Sequence, residues 1–138
     1  MLAATVRVRY ADTDAMGVAY HANYLVWFEV GRTELMRSWG VPYADFEKRG
    51  IFVPVVEANV RFLASGRYDD LLQVETSVSE LSPARVKFHY RVVRSSDGRL
   101  LCEGDTLHGF VSPAGRPMAL AKVAPDLYQM LQTKSQEG

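Results

Sequence analysis

The sequence has one cysteine, three histidines and no surplus of either charge. A lone thiol, Cys102, cannot close an internal disulfide, which excludes a disulfide-built scaffold and fits a reducing, cytoplasmic compartment. Sixteen basic residues against sixteen acidic ones leave a formal net charge of zero. There is then no global positive field to gather nucleic acid or an anionic membrane, although a local basic patch for a small anion remains compatible. No apolar run approaches the length of a bilayer span. The opening residues lack a basic start followed by a long apolar stretch, so no signal peptide is expected. Repeats, low-complexity tracts and linkers are also missing as far as Leu131. The chain has 138 residues, 48% of them hydrophobic and 23% charged, a globular composition. The expectation is one domain over residues 1–131 and a polar tail over 132–138.

The apolar residues are periodic. Val6, Val8 and Tyr10 alternate with Arg7 and Arg9, which predicts a half-buried strand over Thr5–Tyr10. A polar, glycine-containing loop follows, Ala11 to Gly17. From Asn23 to Trp39 the period becomes helical, through Leu25, Phe28, Leu35, Met36 and Trp39. Tyr24, Val26, Trp27 and Val30 make its first half apolar nearly all round, so this helix is expected to be enclosed by protein. Gly31 costs helix stability and is expected to permit close approach of another element. Gly40 and Pro42 form a stop signal, with a further helical turn over Tyr43–Arg49.

Strand alternation dominates the remainder. Val56, Ala58, Val60 and Phe62 form one set; Leu72, Val74, Thr76 and Val78 a second; Val86, Phe88, Tyr90 and Val92 a third. Asp97-Gly98 is a hairpin signal ahead of a last strand over Leu100–Val111. A C-terminal helix is expected to start near Pro125. One apolar helix and one antiparallel sheet have a simple solution, an α+β arrangement in which the curved sheet wraps the helix. Open strand edges then favour self-association.

The segment richest in chemistry runs from Arg7 to Tyr24 and contains Asp14-Ala-Met-Gly17 and Tyr20-His21. A carboxylate just before a helix N-terminus can act as base or nucleophile on an acyl carbon. The helix terminus offers unpaired N–H groups and positive dipole potential to an oxygen developing negative charge. Gly17 lets the backbone turn tightly between the two. A loop aspartate can equally be a cap or turn former. For Asp12 a turn-stabilising or solvated carboxylate is favoured. Asp12, Asp14 and His21 match no standard zinc spacing, so no metal is expected. His89 and His108 read as ordinary strand residues.

This segment resembles the active-site signature of the 4-hydroxybenzoyl-CoA thioesterase family, especially its YbgC-like acyl-CoA hydrolases. Leu25-Val-Trp-Phe-Glu29, Arg32-Thr-Glu34 and Ala64-Ser-Gly-Arg-Tyr-Asp-Asp70 extend the resemblance to about residues 5–131. It implies a hot-dog fold and hydrolysis of an acyl-CoA to free acid and CoA. Asp14 would be the catalytic carboxylate, and Gly17, Tyr20 and His21 would complete the site, the His21 N–H holding the carbonyl. Coenzyme A is then part of the substrate and no separate cofactor is implied.

In that family, basic residues near the turn between the third and fourth strands hold the nucleotide phosphates, often from a neighbouring subunit. Here the turn reads Ser82-Pro-Ala-Arg85-Val-Lys87, less basic than in the 4-hydroxybenzoyl-CoA enzyme, with Arg67 and Arg91 as further candidates. Trp27 and Val55, with Met16, Val18, Phe52 and Val53, are the apolar candidates for the acyl pocket. A homo-oligomer is implied, a dimer as minimal unit and a tetramer favoured. An acyl-carrier-protein thioesterase and a non-catalytic acyl-CoA binding protein remain the alternatives.

Overall fold

The computed structural model describes residues 2–137. Five strands form one antiparallel sheet in the order β1-β3-β4-β5-β2, where β1 is Leu2–Arg7, β2 Val55–Phe62, β3 Leu71–Ser82, β4 Arg85–Arg94 and β5 Leu100–Gly109. Helix α1, Asn23–Ser38, lies between β1 and the rest of the chain in sequence and packs on β3, β1 and β4. The register slips between Val55 and Glu57, Val78 and Glu80, and Val92 and Val93, irregularities of the kind that bend a sheet around what it covers. Short helix α2, Tyr43–Lys48, a single turn α3, Leu120–Val123, and helix α4, Pro125–Glu137, complete the fold.

The helix meets the sheet through Tyr24, Trp27, Phe28, Gly31, Leu35 and Met36. Phe28 stacks face to face on Tyr90 with ring centroids 4.2 Å apart. Gly104 of β5 leaves room for that ring, since a Cβ there would stand 2.9 Å from Phe28. Gly31 makes the close approach that its place in the helix predicts. A Cβ on it would lie 2.8 Å from Val74 and closer still to the Thr76 hydroxyl.

Several expectations need correction. The first strand ends at Arg7; the backbone then turns through a 3-10 turn at Tyr10–Asp12, so Tyr10 is exposed rather than on the buried face. Helix α4 runs through the polar residues 132–137, because Leu127 and Leu131 anchor it and Ser135 continues its hydrogen bonding. Within one chain, α1 is not fully enclosed: Leu25 and Val26 are exposed, Val26 by 55%. At one edge of the sheet, β2 is an open strand, exposed at nearly every position, including Val55, Val56 and Phe62.

The two histidines on strands are not ordinary. Across β4 and β5, His89 pairs with Asp105 at 3.0 Å and lies 3.7 Å from Glu103 on the outer face. His108 is buried at the end of a polar chain described below. Alternation places these residues on their faces, but only register brings their partners opposite.

Gly31→Ala tests the helix crossing. Alanine favours an isolated helix by about 1 kcal/mol; overpacking against Val74 and Thr76 costs about 1–3 kcal/mol and wins only if the backbones cannot separate. Calorimetry should give a lower Tm for Gly31→Ala. A raised Tm would mean that the crossing is loose.

Candidate active site

The residues from Thr13 to Ala19 form a tight turn. Asp14 N–H donates to the Val18 carbonyl at 2.9 Å, and Gly17 N–H to the Asp14 carbonyl at 2.9 Å. Gly17 has φ +77°, a left-handed conformation that favours glycine. One carboxylate oxygen of Asp14 accepts the Met16 N–H at 2.9 Å, which fixes the side chain over its own turn. The turn is tied down from the other side by Ala19 N–H to Gly66 O, 2.8 Å, and by a bridge between Val18 and Arg67.

Asp12 does something different. Its carboxylate is buried and accepts Arg9 N–H at 2.8 Å and the Arg9 guanidinium at 3.2 and 2.9 Å. The hydrogen bonds from Arg9 hold its pKa below the usual carboxylate range, against the opposing effect of burial. The Asp12 carbonyl accepts Tyr20 N–H and the Asn23 side chain, both at 2.8 Å, docking the turn on the start of α1.

Helix α1 begins without a side-chain cap. Asn23, Tyr24 and Leu25 donate back to Tyr20, His21 and Ala22, whereas the N–H groups of His21 and Ala22 have no acceptor among the described residues. Two unpaired donors at a helix N-terminus suit a developing oxyanion. The His21 ring is exposed, 4.5 Å from that of Tyr20 and 6.2 Å from that of Phe62. Tyr24, behind it, donates order to the opposite wall: its hydroxyl accepts Gly66 N–H at 3.1 Å.

The remaining expected site residues divide. Arg67 is exposed beside the turn, its side chain without an ion-pair partner among the described residues. Arg85 and Lys87 also lack such partners, whereas Arg91 is held by Glu75 at 2.7 Å. Arg85 pairs in register with Gly109 and Lys87 with Leu107, while the Asp14 turn is anchored through residues 63–66 near Leu101. Six to eight strand residues separate these ends, about 20 Å or more. Trp27 is in the core, 4% exposed and edge-on to Tyr24, rather than on an open pocket. Val55 and Met16 are exposed; Val53 lines an apolar cavity beside α1. Cys102 is buried, its thiol pushed up to about 12, and is no nucleophile.

That cavity, about 90 Å³, lies between α1, α2, α4 and the ends of β4 and β5. Its polar wall was not legible in the sequence. His108 donates from Nδ1 to the Val53 carbonyl at 3.0 Å, so in the neutral ring Nε2 must accept. The Thr106 hydroxyl, 2.8 Å away, donates to it and in turn accepts from the Tyr90 hydroxyl at 2.6 Å. Burial, aided by the positive charge of Arg32, lowers the His108 pKa to about 4.

Residues 8–131 match the Thioesterase-like superfamily. Putative acyl-CoA thioesterase YneP of Bacillus subtilis is 36% identical over 122 residues, 88% of each chain. Acyl-CoA thioester hydrolase YbgC of Escherichia coli is 34% identical over 118 residues, 85% of this chain and 87% of that one. Among solved structures, a DHNA-CoA thioesterase from Staphylococcus aureus superposes with a TM-score of 0.91 at 34% identity, covering 98% of this chain and 90% of its own. The chain therefore belongs to the thioesterase-like superfamily and has its hot-dog fold. It is a thioester hydrolase.

His108 gives a pH test. Its folded pKa of about 4 lies below the unfolded value of ~6.5. Above the unfolded value both states are neutral and nothing is lost. Below it the unfolded chain takes a proton that the folded one refuses, so stability falls as pH drops from ~6.5 towards 4, by an amount on the order of 3 kcal/mol. Denaturant titrations should show a flatter slope over that window for His108→Gln; an unchanged slope would contradict the assignment.

Proposed function

We propose that this protein hydrolyses an acyl-CoA to the free carboxylic acid and coenzyme A, with Asp14 as the carboxylate that acts at the thioester carbon. The observation that carries this reading is the fixed Asp14 turn leading directly into the unpaired N–H groups of His21 and Ala22. The acyl-CoA class is supported by the relatives from Bacillus subtilis and Escherichia coli, a putative acyl-CoA thioesterase and an acyl-CoA thioester hydrolase.

The His21 N–H holds the thioester carbonyl oxygen, and the helix terminus stabilises the negative charge that grows there. One such donor is worth about a hundred- to a thousandfold in rate. Asp14 then acts in one of two ways. As a general base it takes a proton from water while the oxygen attacks the acyl carbon. As a nucleophile it attacks directly and forms a mixed anhydride, which water then hydrolyses. In both, the C–S bond breaks as the tetrahedral species collapses, and the CoA thiolate leaves and takes up a proton. A thiolate is a far weaker base than an alkoxide, so it leaves without a dedicated acid. Tyr20 and the His21 ring form the exposed lip of this end, and Gly17 sets the turn. Water and Asp14 suffice, so the scheme uses no cofactor.

Arg85 and Lys87 hold the phosphates of a CoA bound at the Asp14 turn of a neighbouring copy, since within one chain the two lie at opposite ends of the sheet. The exposed edge of β2 with Val55, Val56 and Phe62, and the bare Leu25–Val26 face of α1, support a homo-oligomer that completes the site. Arg67, beside the turn, is placed to meet the pantetheine side. The substrate and the single buried thiol suit the cytosol; among the described residues no helix is long and apolar enough to cross a membrane.

Asp14→Asn keeps size and the bond to Met16 N–H but removes basicity and charge. In a thiol-release assay over short, long, branched and aromatic acyl-CoAs, kcat should fall by at least about a hundredfold with CoA binding retained. Asp12→Asn, which loses the Arg9 pair, should lower Tm more than turnover. An Asp14→Asn protein that hydrolyses its best ester at near wild-type rate would end the assignment. Hydrolysis of acyl-carrier-protein esters in place of CoA esters would replace the substrate class.

A further inference from the structure

The cavity of about 90 Å³ is walled by Met36, Phe46, Val86, Phe88, Phe110 and Leu131, yet two charged side chains without an ion pair among the described residues also line it, Arg32 partly buried and Glu29 exposed. Arg32, partly buried on α1, makes no ion pair among the described residues, and its single hydrogen bond is a long one, 3.5 Å, to the Tyr90 hydroxyl. The proton order of the chain behind it is fixed. His108 Nε2 accepts from Thr106, and Thr106 accepts from Tyr90. The Tyr90 oxygen can therefore only accept from Arg32, and the neutral His108 supplies no compensating charge. Glu29 lines the same cavity but is exposed on its rim and makes no ion pair with Arg32. A guanidinium has five N–H donors, and a cation drawn partly out of water needs an anion or hydrogen bonds to offset desolvation.

The cavity is also connected by helix geometry to the Asp14 end. His21, Leu25, Glu29, Thr33 and Met36 recur at near-helical spacing along one flank of α1. The first of these holds the candidate oxyanion donor, Leu25 is exposed, and the last three line the cavity. From His21 to Arg32 is about 16 Å along the axis, shortened by the lean of side chains towards the helix N-terminus. An apolar chain of medium length laid on this flank brings its far end to Arg32.

We propose that this cavity receives the far end of the acyl group and that Arg32 selects acyl chains ending in a carboxylate, the monothioesters of dicarboxylic acids. This rests on the thioester-hydrolase reading for the Asp14 end. A carboxylate matches the free guanidinium fork and balances its charge, whereas a methyl or hydroxyl terminus leaves the cation uncompensated. The Tyr43 hydroxyl, which accepts Val53 N–H at 2.8 Å, still has its own proton to donate into the cavity it lines.

The test compares kcat/KM for octanoyl-, decanoyl- and dodecanoyl-CoA with their ω-carboxy counterparts, in the wild type, Arg32→Met and Arg32→Lys. A charge-assisted contact is worth roughly a ten- to a hundredfold preference for the ω-carboxy ester at the best length. Arg32→Met should abolish that preference by lowering kcat/KM for the ω-carboxy esters and raising it for the plain ones, and Arg32→Lys should keep part of it. Calorimetry with free octanedioate and octanoate reads the cavity independently of turnover. Binding of octanedioate alone, lost in Arg32→Met, supports the proposal even if no CoA ester is hydrolysed, in which case the reading of the Asp14 end fails instead. No preference in the wild type together with no octanedioate binding, or a preference unchanged in Arg32→Met, overturns it.

Discussion

The distance between α1 and the sheet governs the rest of the molecule. Gly31 lies against Val74 and Thr76, and Gly104 leaves the space in which Phe28 stacks on Tyr90. These two absent side chains let the helix backbone sink into the sheet. Its depth and tilt set where the N-terminus of α1 emerges, and so where His21 and Ala22 point their free N–H groups. The same tilt places α1 over β3 and β1 and leaves β2 and the Leu25–Val26 face bare. Packing in the core, the donor site and the bare edge and face therefore follow from one close contact.

Charge is distributed in keeping with this. Arg7, Arg9, Arg49, Arg61, Arg91 and Arg94 each have a carboxylate partner, so much of the neutral balance in composition is settled locally. Surface pairs of this kind contribute little to stability. Their consequence is that the cations left without a partner stand out. Arg67, Arg85 and Lys87 are among these on the surface, and Arg32 at the cavity. Asp14 contrasts with Asp12 in the same sense: one carboxylate is buried under Arg9, and the other keeps an oxygen that no protein donor occupies.

Much of this was legible in the sequence because it is local. Helical periodicity gave α1 to within a residue, alternation gave β2, β3 and β4, and a hairpin signal gave β5, because each depends on neighbours within one element. The Asp14–Gly17 turn lies within a few residues, so motif and turn chemistry reached it, whereas the burial of Asp12 under Arg9 came only with the 3-10 turn that brings the two together. The His108–Thr106–Tyr90–Arg32 chain joins β5, β4 and α1, and nothing in the spacing of those residues announces it. Trp27 looked like a pocket residue because its face of α1 depends on the crossing angle, which Gly31 sets. Tyr10 continued an alternating pattern that the 3-10 turn breaks.

We propose that an Asp14 turn and a cradle of Arg85 and Lys87 act together only when they come from different copies. Subunit mixing tests it most directly. Asp14→Asn and the double variant Arg85→Ala/Lys87→Ala are unfolded together, refolded, and assayed with acyl-CoA well below its KM. A composite site predicts recovery well above the mean of the two parents, because a mixed two-fold dimer contains one intact Asp14 turn facing one intact cradle. Random pairing gives intact sites at roughly a quarter of the wild-type number. Activity no higher than the mean of the separately refolded parents would contradict a site shared between copies.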